Sequence, residues 1–239
     1  DWKITITTAL YDALFWLIVI GSGYFYLWRL RLHSALIQKT ATFTKEAMLQ
    51  PDLAVQNTET VKQLIVILLG GLSILLIIAF IAYIVFRALT WTTVAGQKIS
   101  KKFFKGWVKL NSVWWLIWLP AVILTAMASS QTPNAKLLLA FIFIVAAYFT
   151  PIVHSLFMKT HKVGYAIGHG IAFGIAKVHR FIVPYTLAVV LYAILYQVFR
   201  LFQQYQSQFL QAASMLFVVL FLAWFRTYLY KVVIELPED

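Results

Sequence analysis

Charged residues punctuate this chain at wide intervals, and the intervals between them are apolar. Uncharged stretches separate Lys62 from Arg87, Lys109 from Lys136, Lys136 from Lys159, Arg180 from Arg200, and Arg200 from Arg226. A helix needs roughly 20 apolar residues to cross the hydrocarbon core of a bilayer. The five stretches therefore predict five spans. A sixth runs from about Leu10 to Leu27, broken near its start by Asp12. It is too long and too aromatic for a signal peptide, which predicts a retained span. A transmembrane barrel would instead alternate apolar and polar residues in strands of roughly ten. The predicted class is all-α: a polytopic membrane protein with about six transmembrane helices.

Two segments between spans carry a pattern of their own. At about 100° per residue, Lys98, Lys101, Lys102, Lys105 and Lys109 fall in one stripe roughly 100° wide. Ile99, Phe103, Trp107 and Leu110 take the other side. This predicts an amphipathic helix lying in the interface, aromatic face toward lipid and lysines toward water. The second segment, KVGYAIGHGIAFGIAKVHR, has no Lys or Arg between Lys162 and Lys177. That stretch is too short to span, so it is also predicted to be interfacial. Gly164 and Gly168, and then Gly170 and Gly174, give two G-x-x-x-G spacings that suit close helix packing.

Each segment leads into a proline-marked span and a return span. Gly106 and Gly170 are 64 residues apart, as are Pro120 and Pro184. The layout suggests a tandem repeat of helix–hairpin units. Residues 1–90 form an N-terminal transmembrane hairpin with a long exoplasmic helical connector. Residues 91–160 form a basic amphipathic helix plus a transmembrane hairpin, and residues 161–239 a Gly-rich interfacial helix plus a transmembrane hairpin. Pro184 is expected in the first turn of its span, where a missing N–H costs little. Pro120 and Pro151 lie deeper and predict kinks. In the connector, apolar positions Leu30, Ala35, Leu36, Phe43 and Ala47 continue the first helix to Pro51, which ends it, and a new helix starts near Thr58.

Composition narrows the chemistry. Hydrophobic residues make up 62% of the chain and charged residues 12%, against about 25% charged in a soluble domain. Between Thr60 and Ile234 there is no Asp or Glu, yet the same 175 residues hold fifteen of the twenty Lys and Arg. Reactions that rest on a carboxylate in the body of the protein are thereby excluded: acid/base pairs, acid-held Mg²⁺ and carboxylate proton relays. The chain has no cysteine, which removes thiol catalysis and iron–sulfur clusters. Basic residues gather in 87–109, in 159–180 and after the last span, whereas the turns near 129–136 and 203–208 are nearly neutral. The positive-inside rule then predicts both termini and both basic loops cytoplasmic, in the cell membrane. The connector from Arg29 to Lys62 carries five basic residues against this, offset by Glu46, Asp52 and Glu59.

Candidate sites follow from the same charges. Lys98, Lys101, Lys102, Lys105, Lys109, Lys159, Lys162, Lys177 and Arg180 are the candidate lipid-headgroup residues, each worth roughly 1 kcal/mol beside an anionic leaflet. Nucleic acid is not an expected partner, since lipid would occupy the aromatic faces. Asp12, the acid inside a span, predicts an intramembrane ion pair with Arg226 or Lys231, which share its level in the predicted topology. His154, His161, His169 and His179 are spaced by 7, 8 and 10 residues, which makes no compact ligand set, and no metal or cofactor is expected. Trp91, Trp107, Trp114, Trp115 and Trp118 read as an aromatic belt at the membrane surface.

The segments KKFFKGWVKL ahead of WLP, and AIGHGIAFGIAKVHRFIVPY in the second unit, carry a resemblance over about residues 98–231. In this layout the chain resembles a group of prokaryotic and archaeal six-span membrane proteins. It also looks like the membrane domain found beside some glycerophosphodiester phosphodiesterases. The resemblance carries over no catalytic residue, and the metal-binding acids of the soluble phosphodiesterase domain have no counterpart here. The expected function is a non-enzymatic membrane scaffold or accessory subunit, with anionic membrane lipids and other subunits as partners. The alternative is a transporter or channel for an anionic or lipidic substrate, with a polar cavity lined by Thr125, Tyr148, Thr150, Tyr185, Thr186, Tyr192 and Gln197.

Overall fold

A computed structural model describes residues 2–40, 51–129, 133–204 and 208–235, and every described element is a helix. The helices are α1 (Trp2–Thr40), α2 (Pro51–Ala95), α3 (Lys101–Ser129), α4 (Pro133–Thr160), α5 (Val163–Ala176), α6 (Val178–Gln204) and α7 (Gln208–Glu235). All but α5 contain a segment long and apolar enough to cross a membrane. The chain is an all-α integral membrane protein, as the spacing of charges predicts.

The described chain separates into two compact units whose boundaries differ from the sequence segments: 14–85, and 1–13 together with 86–239. The first is an antiparallel pair made of most of α1 and α2. Phe15 meets Tyr83 edge-on at 6.2 Å. Further along, the Tyr26 hydroxyl donates to the Leu68 carbonyl at 3.0 Å and its ring lies on Gly71. Pro51 opens α2 rather than closing α1, and Thr58 lies inside α2. Proline's preset φ suits the first helical position, and Asp52 follows it in the first turn, where the helix dipole favours an acid. Phe43 and Ala47 lie outside the described residues.

The second unit is built around the end of α4. Seven consecutive residues, Ile152 to Met158, are buried, so this stretch is covered on every side. An amphipathic surface helix would bury one stripe; burial all round marks a central helix. On one side lies α3, with Phe103 and Trp107 against Phe157 at 5.8 Å each. On another lies α2, with Trp91 against His154 at 5.5 Å. On a third, α5 doubles back along α4, placing Gly170 on Val153 and Gly174 on Phe149. Both Gly106 and Gly170, the pair spaced by 64 residues, thus face α4: Gly106 meets Phe157.

Three expectations are corrected here. The basic segment is no separate helix along the interface; Lys101–Lys109 form the first turns of α3 itself. Its aromatic face meets protein, since Phe103, Trp107 and Leu110 are buried in the unit. Pro184 is not in the first turn of its helix, because α6 begins at Val178. Of the four packing glycines, Gly170 and Gly174 are buried against α4, whereas Gly164 and Gly168 have nothing near them. The small-residue stripe that packs is Ala166, Gly170 and Gly174, at four-residue spacing.

A contrast within α5 tests this. A Cβ on Gly170 would sit 2.7 Å from the Val153 Cγ2 and 3.3 Å from its Cα, and neither can move far. Gly170→Ala is expected to destabilise by about 1–3 kcal/mol through overpacking. Gly168→Ala, in open space, is expected to stabilise by roughly 0.5–1 kcal/mol through helix propensity. Thermal unfolding of the two variants in one detergent checks the opposite signs.

Candidate functional site

Helical spacing carries Phe103, Trp107, Asn111 and Trp114 down one face of α3, and their partners ascend α4. Trp114 Nε1 donates to the Thr150 Oγ1 at 2.9 Å. Asn111 Nδ2 donates to the Trp107 carbonyl at 2.9 Å, which turns its Oδ1 toward His154 Nε2 at 3.0 Å. The imidazole is the donor in that bond, because a carboxamide oxygen can only accept. The ring of His154 lies 4.7 Å from the Trp107 ring. Asn111, His154 and Trp107 are all fully buried, and the two polar groups partner each other. This arrangement locks α3 to α4. It consumes the imidazole structurally and leaves it no free role at a surface.

In the same unit, Asp12 joins three helices. Its Oδ1 accepts from Arg87 Nη1 at 2.7 Å and its Oδ2 from Arg226 Nη2 at 2.8 Å. The carboxylate is 6% exposed and the two guanidinium side chains 21% and 12%. The expected Asp12–Arg226 pair is present. Lys231 is exposed and makes no ion pair among the described residues. Arg87 holds the second oxygen; as the first basic residue after an uncharged stretch, it reads in the sequence as a loop anchor. The cluster is a tie between α1, α2 and α7, with one unit of positive charge left over.

At the end of this unit the chain makes two left-handed turns that frame a recess. Gly96 has φ +65°, its N–H reaching the Thr93 carbonyl and the Gln97 N–H the Thr92 carbonyl at 2.9 Å. This pair of bonds closes α2 as a Schellman cap. The Gln97 side chain then ties the linker to α4 through Nε2 to the Met158 carbonyl, 3.1 Å. Ser100 caps α3, its Oγ accepting from the Phe103 N–H at 3.1 Å. Facing this linker, α4 is followed by His161, the one non-glycine residue with positive φ (55°) among the described residues. A left-handed conformation costs a residue with a Cβ roughly 1–2 kcal/mol, and glycine is usual at this position. His161 holds its ring edge-on to Phe103 at 5.7 Å and Phe157 at 5.9 Å. The recess between the turns has a volume of ≈ 470 Å³, with Lys98 and Lys102 on its rim. No carboxylate is among the described residues that line it.

The nine predicted headgroup residues do not form one patch. Lys101, Lys102, Lys105 and Lys109 are exposed along α3, Lys98 in the linker before it, and Lys159 and Lys162 are exposed beside them at the α4–α5 turn. Lys177 and Arg180 lie at the far end of α5, which runs back along α4, about 20 Å of helix away from Lys162. The tryptophans do not form a belt either: Trp91, Trp107 and Trp114 are buried in the unit. The expected transport cavity is not assembled from its seven residues. Thr125 and Thr150 hydroxyls donate to carbonyls one turn back in their own helices, and Tyr192 and Gln197 are exposed on α6. Tyr148, Tyr185 and Thr186 do share a groove of ≈ 360 Å³, whose other walls are apolar. Its two tyrosines are engaged, Tyr148 donating to the Gly174 carbonyl and Tyr185 to the Tyr148 carbonyl.

No protein-family profile, no curated protein and no solved structure matches this chain.

Proposed function

We propose that this protein is a non-enzymatic integral membrane scaffold, or the accessory subunit of a membrane complex, whose lysine-rich end faces the cytoplasmic leaflet of the cell membrane and engages anionic headgroups. The observation that carries the reading is the division of labour along the start of α3. Its aromatic face is spent inside the unit, while Lys101, Lys102, Lys105 and Lys109 are exposed at the end of a spanning helix. No acid lies between Thr60 and Ile234 to neutralise them. A row of ammonium groups at that level attracts a negatively charged surface through the leaflet's own potential.

The test is lipid selectivity. In nanodiscs containing equal amounts of an anionic and a zwitterionic phospholipid, the protein is expected to retain the anionic lipid preferentially on native mass spectrometry. Replacing Lys101, Lys105 and Lys109 by Ala is expected to reduce that preference by about fivefold per lysine, at roughly 1 kcal/mol each. Raising the salt to 1 M is expected to do much the same by screening. Equal retention of both lipids by the wild-type protein would remove the proposal.

A further inference from the structure

The recess between the Gly96 and His161 turns is more specific than a lysine row, and we propose that it is a binding site for a phosphate group. The inference rests on the headgroup reading above and names the chemistry one part of that surface selects. Lys98 and Lys102 bring two ammonium groups to one rim, and neither has an ion-pair partner among the described residues. A single anion between two like charges relieves their repulsion and gains from both, which a monovalent patch of separate lysines cannot do. Lysine suits a phosphate as a mobile point charge that adapts to its three oxygens.

The walls are placed with unusual care. The linker is fixed at Gly96 by its cap and at Gln97 by the bond to the Met158 carbonyl, so Lys98 starts from an anchored backbone. Across the recess, His161 occupies a left-handed conformation that glycine would adopt without strain. Holding a strained side chain at a ligand-sized opening is the pattern of a site rather than of a connector. The imidazole can donate to a phosphate oxygen, and the Phe103 and Phe157 edges fix its plane. Phe103 and Phe157 form the apolar part of the lining, beside Ser100 and Thr160. A phosphate group on a lipid headgroup and one on a small soluble molecule share this chemistry, and the recess opens at the end of the spans where either could reach it.

The experiment uses the full chain in a maltoside detergent, which carries no phosphate. Two probes are titrated separately: inorganic phosphate, and a short-chain phosphatidic acid. Saturable binding of the lipid probe alone assigns the site to a headgroup; binding of both assigns it to phosphate groups in general. In either case Lys98→Gln with Lys102→Gln is expected to weaken binding by about thirtyfold. His161→Asn tolerates the left-handed turn, so the fold is kept while the ring is lost; it is expected to weaken binding with an unchanged unfolding temperature. Lys105→Gln with Lys109→Gln, outside the recess, is expected to lower the bulk anionic preference while weakening the binding of inorganic phosphate far less than the Lys98/Lys102 variant does. Absence of binding for both probes, or wild-type affinity in the Lys98/Lys102 variant, overturns the inference. Loss of the recess site with the bulk preference intact would leave the scaffold reading standing, and the reverse pattern would remove that reading alone.

Discussion

Asp12→Ala is expected to destabilise the protein by about 3–5 kcal/mol, the cost of leaving buried charge without its partner. Both carboxylate oxygens are engaged, one by Arg87 and one by Arg226, and the acid is almost wholly buried. Removing it leaves two guanidinium groups facing each other across three helices. The effect should depend on which member goes. Arg226→Gln leaves an Asp12–Arg87 pair and is expected to cost less than Asp12→Ala. The triple replacement Asp12→Leu, Arg87→Met and Arg226→Met removes all the charge and fills the space, and is expected to fall much closer to wild type, because apolar isosteres of buried ion clusters are often neutral. Thermal unfolding of the three proteins in a common detergent gives the order. An Asp12→Ala protein as stable as wild type would mean that the cluster ties nothing together.

Trp107→Ala is the second large effect, at about 3 kcal/mol or more. Trp107 is fully buried, meeting Phe103 at 6.0 Å, His154 at 4.7 Å and Phe157 at 5.8 Å. In a membrane protein the hydrophobic term is weak, since lipid is as apolar as the core, so the loss comes from packing and from the cavity left behind. Ring contacts therefore decide the size. The neighbouring face of the same helix gives the control: Lys105→Ala, exposed, is expected to change stability by less than about 0.5 kcal/mol. If α3 began as a helix lying on the interface with Trp107 in lipid, Trp107→Ala would cost little. The measured difference between the two variants separates those arrangements.

The six spanning helices were legible because the signal is a constraint on charge. A helix in hydrocarbon cannot carry unpaired ions, so each uncharged stretch maps onto one helix of the structure. The Asp12–Arg226 pair was legible for the same reason, as an intramembrane acid demands a cation. Arg87 is not legible as a partner of Asp12, because a basic residue at a span end already has an ordinary explanation in the positive-inside rule. The surroundings of Phe103 and Trp107 are not legible, because a period of 3.6 residues reports which face is apolar but not whether lipid or another helix covers it. The α5 stripe shows a third limit. Gly164 and Gly168 have the same spacing as Gly170 and Gly174, yet only the second pair meets α4. Spacing identifies a surface capable of close approach, and the direction of the chain after Thr160 decides which surface is used. His161 gave no signal at all, since nothing in THKVG marks a left-handed turn before the structure shows it.

The central claim, that Lys98–Lys109 and Lys159–Lys162 form one surface on the cytoplasmic side of the membrane, is most directly tested by cysteine accessibility. The chain contains no native cysteine, so single substitutions need no background correction. Lys98→Cys, Lys162→Cys and Asn134→Cys are placed in sealed, oriented cell-membrane vesicles and treated with a membrane-impermeant maleimide. Lys98→Cys and Lys162→Cys are expected to react from the cytoplasmic side alone and Asn134→Cys from the other. Reaction of Lys98→Cys and Lys162→Cys from opposite sides would contradict it.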